Sequence, residues 1–253
     1  MLVVTTFALD SEFAPWRRLR PFRRSDGPLP IYESRIGSVR LRVVLTGIGP
    51  HAATAAAAAV FRDQPNLCMA LGLAGGLSEA LRVADVVVPA RVSGPGGAPI
   101  ACDRSALKLA LDCGAHQIDA LYSAPAIVVT AAQKRQLSAS AEAVDMESRT
   151  VLGESRQRNI PGLALRAISD TANVDLPFDL NRAVSPQGNM NRSRLLAALL
   201  RRPTALPGFV RLGVQGHRAA TALSVFLDTY IVRLAGGSEL DASAMVSHLS
   251  TTI

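Results

Sequence analysis

The sequence predicts an α/β fold: a single-domain, three-layer α/β/α arrangement around a mostly parallel, partly mixed central sheet. Three observations predict it. The apolar runs at 2–7, 67–73, 83–89 and 162–168 lack polar alternation, the mark of strands buried on both faces. Polar or glycine turns follow them, and helix-length segments separate them. Finally, 49% of the 253 residues are hydrophobic and only 4% aromatic, so the core consists of many small aliphatic contacts between helices and sheet. That hydrophobic share excludes a disordered chain.

Taken in order, residues 2–7 read as a short buried strand and 10–19 as a helix with Asp10 or Ser11 near its cap. Residues 35–45 carry β-branched residues suited to one strand, 46–50 form a turn, and 51–61 form an alanine-rich helix. The strand at 67–73 stops at Ala74-Gly75-Gly76, and 83–89 is the next strand. A loop covers 93–97, a strand is expected at 126–129, and 143–147 opens another strand-to-helix passage. The strand at 162–168 is stopped by Ser169-Asp170. Helices are expected at 193–200 and 208–234, separated by Pro203 and Pro207, and 236–253 is expected to fray. No linker divides the chain.

The three cysteines, Cys68, Cys102 and Cys113, form neither a CxxC nor a disulfide framework, and there are four histidines. No metal and no cofactor are expected. The N-terminus lacks a basic n-region and a long apolar core, and no apolar run reaches ~18 residues, so a cytoplasmic protein is expected. The formal charge is +7, concentrated at Arg17, Arg18, Arg20, Arg23 and Arg24 and again at Arg192, Arg194, Arg201, Arg202 and Arg211. Without a recognition motif or stacking aromatics, this charge does not point to nucleic acid. The first cluster reads as a solvated helix face.

In parallel sheets ligands lie beyond the carboxyl ends of the strands. Four polar turns occupy such places: Asp10-Ser11-Glu12, Gly72-Leu73-Ala74-Gly75-Gly76, Asp145-Met146-Glu147-Ser148 and Ser169-Asp170. Singly, each has a structural reading, since acids after strands cap helices and glycines make turns. Together they resemble the purine nucleoside phosphorylase and nucleosidase superfamily, over about the first 180 residues. The resemblance rests on Ala143-Val144-Asp145-Met146-Glu147-Ser148, on Leu165-Arg166-Ala167-Ile168-Ser169-Asp170, on the turn from Leu71 to Leu77 with the following Val83–Val88 strand, and on Thr46-Gly47-Ile48-Gly49.

The resemblance implies a nucleoside phosphorylase/nucleosidase-like domain over 1–185, with 186–253 a C-terminal helical extension packed on it. It implies cleavage of a nucleoside's N-glycosidic bond, with Asp170 as the acid that protonates the departing base. Glu12 corresponds to the water-activating glutamate of the nucleosidase branch. Its structural reading is a first-turn carboxylate favoured by the helix dipole. Glu147 corresponds to the carboxylate that holds the ribose hydroxyls, and Met146 packs against the sugar. Substrate contacts are also expected at Leu73, Gly75, Ser169 and Val129, while Arg166 is expected as an ion-pair partner or helix-end support, ahead of a substrate contact. A homo-oligomer is implied by the resemblance alone.

Phosphorolysis is the alternative. The early turn Phe7-Ala8-Leu9-Asp10-Ser11-Glu12 lacks the glycine-arginine pattern of the phosphorylase branches, and its acids would repel phosphate. Hydrolysis is therefore expected, with a catalytically silent nucleoside-binding module as a further alternative. Leu73 replaces a serine common in the family. With Val-Asp-Met-Glu-Ser, that makes the chain look closer to the hopanoid-associated branch, which is linked to removing adenine from adenosylhopane. A 5′-substituted adenosine-type nucleoside is the expected substrate. The leucines at 195, 196, 199 and 200 alternate with arginines, a pattern that fits peripheral membrane contact or a charged outer helix face.

Overall fold

The computed structural model describes residues 1–26, 29–185, 188, 191, 193 and 203–236. Strand β1 (Leu2–Phe7) is buried along its whole length. It lies between β4 (Val39–Leu45) and β5 (Leu67–Gly76), parallel to both. Helix α1 (Asp10–Leu19) follows β1 and buries Phe13 and Trp16 in an aromatic cluster with Phe7 and Phe22. The two-residue β2 (Arg23–Arg24) and β3 (Ile31–Ile36) extend the sheet edge antiparallel. The single strand expected over 35–45 is thus two strands. The chain reverses at Gly37, whose φ of +54° a side chain rarely adopts.

Helix α2 (Pro50–Val60) leads to β5, and β6 (Val86–Ser93), β7 (Ile100–Ala101), α3 (Arg104–Asp112) and β8 (His116–Ser123) follow. Then come α4 (Ala131–Leu137), β9 (Ala143–Asp145), α5 (Ser148–Gln157), β10 (Gly162–Asp170) and α6 (Leu206–Leu234). The strand order is β10-β6-β8-β9-β5-β1-β4-β3-β2, and β10 also pairs with β5. The strands β5, β10, β6, β8 and β9 therefore close on one another, while β1 to β4 form an open wing. The fold is mixed α/β, with parallel ladders β1–β4, β1–β5, β5–β10, β6–β8 and β8–β9.

Closure explains one departure from the sequence reading. Residues 116–123 look half polar because only some of their side chains face inward, yet they form β8 inside the closed part. Residues 126–129, expected as a strand, are a loop. The main chain of Ile127 is held by the Asn181 amide (2.8 and 3.0 Å) instead of by a neighbouring strand. Of the helix expected at 193–200, residues 194–200 lie outside the described residues, as do Arg192, Arg201, Arg202 and 237–253.

Helix α6 packs on α1 and β10 through Ala219, Leu223, Leu227 and Ile231, one residue every four along a single face. Arg20 of the first basic cluster crosses to α6 and makes a two-pronged pair with Asp228 at 2.6 and 3.0 Å. Among the described residues, no helix is long and apolar enough to cross a membrane.

Candidate active site

The carboxyl ends of β1, β5, β9 and β10 meet. Asp170 is in register with Gly75, and Gly75 with Val144, so turns far apart in the chain abut. Between Ile168 and Asp170 the ladder slips, which leaves Ser169 out of register at the strand end. These ends surround a cavity of about 230 Å³. Its lining includes Glu12, Leu73, Gly75, Met146, Glu147, Ser169 and Asp170, seven of the eight expected site residues. Val129 is not among the lining residues. Its N–H donates to the Gln133 side chain (3.0 Å) and its carbonyl accepts from the Leu176 N–H (2.8 Å), while Ala126, Ile127 and Val128 line the cavity instead.

Glu12 sits in the first turn of α1, as its structural reading expects, and its side chain also lines the cavity. Its Oε2 accepts from the N–H groups of Ala8 (3.1 Å) and Leu9 (3.2 Å), satisfying donors at the helix start. Its Oε1 accepts from the Leu73 N–H at 3.2 Å, across the β1–β5 boundary. Leu73 thus serves the site through its main chain. Burial pushes the Glu12 carboxyl above the usual glutamate range, countered by the Arg166 charge and by the three N–H donors.

Arg166 is the expected ion-pair partner, and it serves more than one acid. It lies within β10, 1% exposed, and reaches Asp145 Oδ2 at 2.5 Å and Glu147 Oε2 at 3.8 Å. Its remaining donors go to the Leu71 carbonyl (3.1 Å) and to the Ser148 hydroxyl (3.0 and 3.2 Å). Gly72 makes room for it: a Cβ there would lie 2.5 Å from Arg166 Nη1 and 3.1 Å from Glu12 Oε2.

Glu147 Oε1 accepts from the Gly49 N–H at 2.7 Å, which explains why the Thr46–Gly49 turn belongs to the site. Burial drives the Glu147 carboxyl up to about 7. Arg166 opposes this, while the Asp145 and Glu12 charges add to it. Asp145 is structural, accepting from Ser123 Oγ (2.5 Å) and from the Ser148 N–H (2.8 Å) to fix the strand-to-helix turn that presents Met146 and Glu147. Neither Asp145 nor Ser123 stands out in the sequence as more than a turn residue.

At the opposite end, Asp170 Oδ1 lies 2.7 Å from Ser169 Oγ, which also approaches the Ala74 carbonyl at 3.2 Å. Asp170 Oδ2 accepts from Lys134 Nζ of α4. Lys134 is fully buried, and its ammonium also bonds the carbonyls of Thr171 (2.7 Å) and Val174 (3.1 Å). Sequence reading missed this lysine. Within Ala131-Ala132-Gln133-Lys134-Arg135 no signal short of the fold sets Lys134 apart from Arg135. Gly75 leaves space for the acid, since a Cβ there would approach Asp170 Oδ2 to 3.2 Å.

A partly closed mixed sheet with three acids gathered at its strand ends defines a class of α/β fold, and sequence comparison supplies the family. Residues 6–201 match the family model described as the phosphorylase superfamily, and the chain belongs to that family. Among solved structures, the chain is similar to a futalosine hydrolase mutant of Helicobacter pylori strain 26695 (TM-score 0.70, 17% identity, covering 92% of this chain and 99% of that one). It is similar too to the H. pylori 5′-methylthioadenosine/S-adenosylhomocysteine nucleosidase with butyl-thio-DADMe-Immucillin-A (TM-score 0.73, 17% identity, 92% and 98% covered). A third is the Neisseria meningitidis nucleosidase of the same name with methylthio-immucillin-A (TM-score 0.70, 19% identity, 91% and 98% covered). At these identities the likeness is one of fold.

Proposed function

We propose that the protein is a nucleosidase that hydrolyses the N-glycosidic bond of a 5′-substituted adenosine-type nucleoside and releases adenine. The observation that carries this reading is the cavity shared by Glu12, Glu147 and Asp170, in which no lysine or arginine is among the described lining residues. A phosphate co-substrate calls for cationic or clustered N–H donors at the anomeric carbon. Here a carboxylate occupies that end, and Arg166 stands behind the acids, bonded to Leu71, Asp145 and Ser148. The similar folds described as nucleosidases and as a futalosine hydrolase support the same reading.

As the C1′–N9 bond breaks, its electron pair passes to the base, and a proton on Asp170 moves to the purine ring. Positive charge then develops on the ribose. Glu147 accepts the ribose hydroxyl hydrogens, contacts that strengthen as that charge grows. Glu12 takes a proton from water as the water oxygen bonds to C1′. A carboxylate lifted by burial is a stronger base than an exposed one, and its three N–H donors hold it in one orientation. Ser169 and Lys134 position Asp170, and Met146 packs against the sugar. Leu9, Ile48, Leu176, Leu180 and Leu212 add an aliphatic wall that suits an apolar 5′ substituent, up to the polycyclic tail of adenosylhopane.

The test is base release from methylthioadenosine, adenosylhomocysteine, futalosine-like nucleosides and adenosylhopane, with and without phosphate. Phosphate-independent release is expected. Release only with phosphate establishes a phosphorylase, and tight binding without turnover establishes a silent binding module.

A further inference from the structure

Four large hydrophobic residues stand out as exposed among the described residues, and three of them lie on the first turns of α6: Leu206, Val210 and Val214, at 51%, 55% and 54% exposure. Their spacing of four places them in one row, since successive helix residues turn by about 100°. By that geometry Arg218 and Arg211 flank the row on one side, whereas Phe209, Leu212 and Gly216 turn toward the body. Phe209 meets Phe178 with ring centroids 5.8 Å apart, and Leu212 lines the active cavity. The row is therefore held outward by a helix fixed from behind.

Beside it lies an open cleft of about 680 Å³ that includes Arg135 of α4, Arg211, Asn173 and Asp175. Asp175 is engaged by the Ala131 N–H at 2.6 Å, and no ion pair of Arg135, Arg211 or Arg218 is formed among the described residues. Residues 206–218 contain no aspartate or glutamate.

We propose that this face of α6 docks on an anionic phospholipid bilayer. Leu206, Val210 and Val214 enter the acyl boundary, and Arg211, Arg218 and Arg135 receive lipid phosphates. An apolar row bordered by arginines that form no ion pair among the described residues, with Asp175 already taken by the Ala131 N–H, matches the layered chemistry of a bilayer surface, where phosphate lies immediately above hydrocarbon. A second copy of the chain fits less well, because residues 206–218 offer no acid to the partner's arginines. Since Leu212 of the same turns lines the cavity, docking sets the cavity wall close to the lipid surface. The inference does not depend on the nucleosidase reading.

The experiment is co-flotation of the full chain with vesicles of phosphatidylcholine alone and of phosphatidylcholine with an equal part of phosphatidylglycerol. Circular dichroism and analytical ultracentrifugation check fold and size. Binding to the anionic vesicles is expected to exceed binding to the neutral ones by ~10-fold at about 0.1 M salt, and to weaken as salt rises. The exposed-site variants Leu206→Gln/Val210→Gln/Val214→Gln and Arg211→Gln/Arg218→Gln are each expected to fold and to lose that excess. Absent or charge-independent binding by the wild type overturns the proposal. So does retention of binding by the folded triple variant, and so does a wild-type dimer that this variant converts to monomer.

Discussion

The two ends of the cavity both hold buried acids, but they balance charge differently. At the Glu12–Glu147 end, three carboxylates (Glu12, Asp145 and Glu147) share the single guanidinium of Arg166, so negative charge is in excess. At the Asp170 end, one carboxylate faces one ammonium, whose other hydrogens are taken by two carbonyls. The excess at the first end adds repulsion to burial and brings Glu147 to about 7, where a substrate hydroxyl or a proton can relieve it. The second end holds its acid in place through Lys134 and Ser169. Charge ratio, more than burial alone, distinguishes the two ends: three carboxylates about one guanidinium, and one carboxylate against one ammonium.

Removing the shared cation breaks the comparison most severely. Arg166→Leu leaves buried carboxylates unpaired and is expected to lower unfolding free energy by about 3–5 kcal/mol in urea denaturation. A loss under about 1 kcal/mol would show that the first end does not rely on Arg166. Asp170→Asn is expected to keep the fold while cutting kcat by ~10²–10⁴-fold, and unchanged turnover removes Asp170 from its role.

Lys134→Met sharpens the contrast. It is expected to lower kcat by roughly 10- to 100-fold through misplacement of Asp170, with a smaller change in KM. A ribosyl substrate whose leaving group departs without a proton should escape most of this loss, and an equal loss on both substrates would reduce Lys134 to a packing role.

The smallest effect concerns Glu147 and has a definite sign. Its folded-state carboxyl lies near 7, above the ordinary value of 4.5, so the folded state holds a proton that the unfolded state has released between those pH values. Stability contributed by this group is full below about 4.5 and declines as pH rises toward 7. Glu147→Gln should therefore flatten the pH profile and stabilise the protein by ~1–3 kcal/mol at pH 8, while turnover falls. Thermal melts from pH 4 to 8 check this.

The unbroken apolar runs at β1, β5, β6 and β10 were legible because strands covered on both faces cannot alternate. Glu12, Glu147 and Asp170 were legible as well, through the resemblance of their turns, taken together, to those of the nucleoside phosphorylase and nucleosidase superfamily. Lys134, Asp145, Ser123 and the backbone donors of Gly49 and Leu73 were not. Their importance comes from partners 22 to 98 residues away, and a side chain's neighbours across a sheet leave no local pattern. Strand β8 was missed for a related reason: only part of it faces inward, so its composition resembles a loop.

By itself the chain specified a buried sheet with helices between its strands, the order of the polar turns, and the three acids those turns carry. Tertiary structure alone decided that β10 returns to pair with β5, which draws those turns around one cavity. It also set one arginine among three carboxylates and one lysine against the fourth. Periodicity records which side of an element faces inward, whereas charge pairing depends on distances between segments that only the closed sheet brings together.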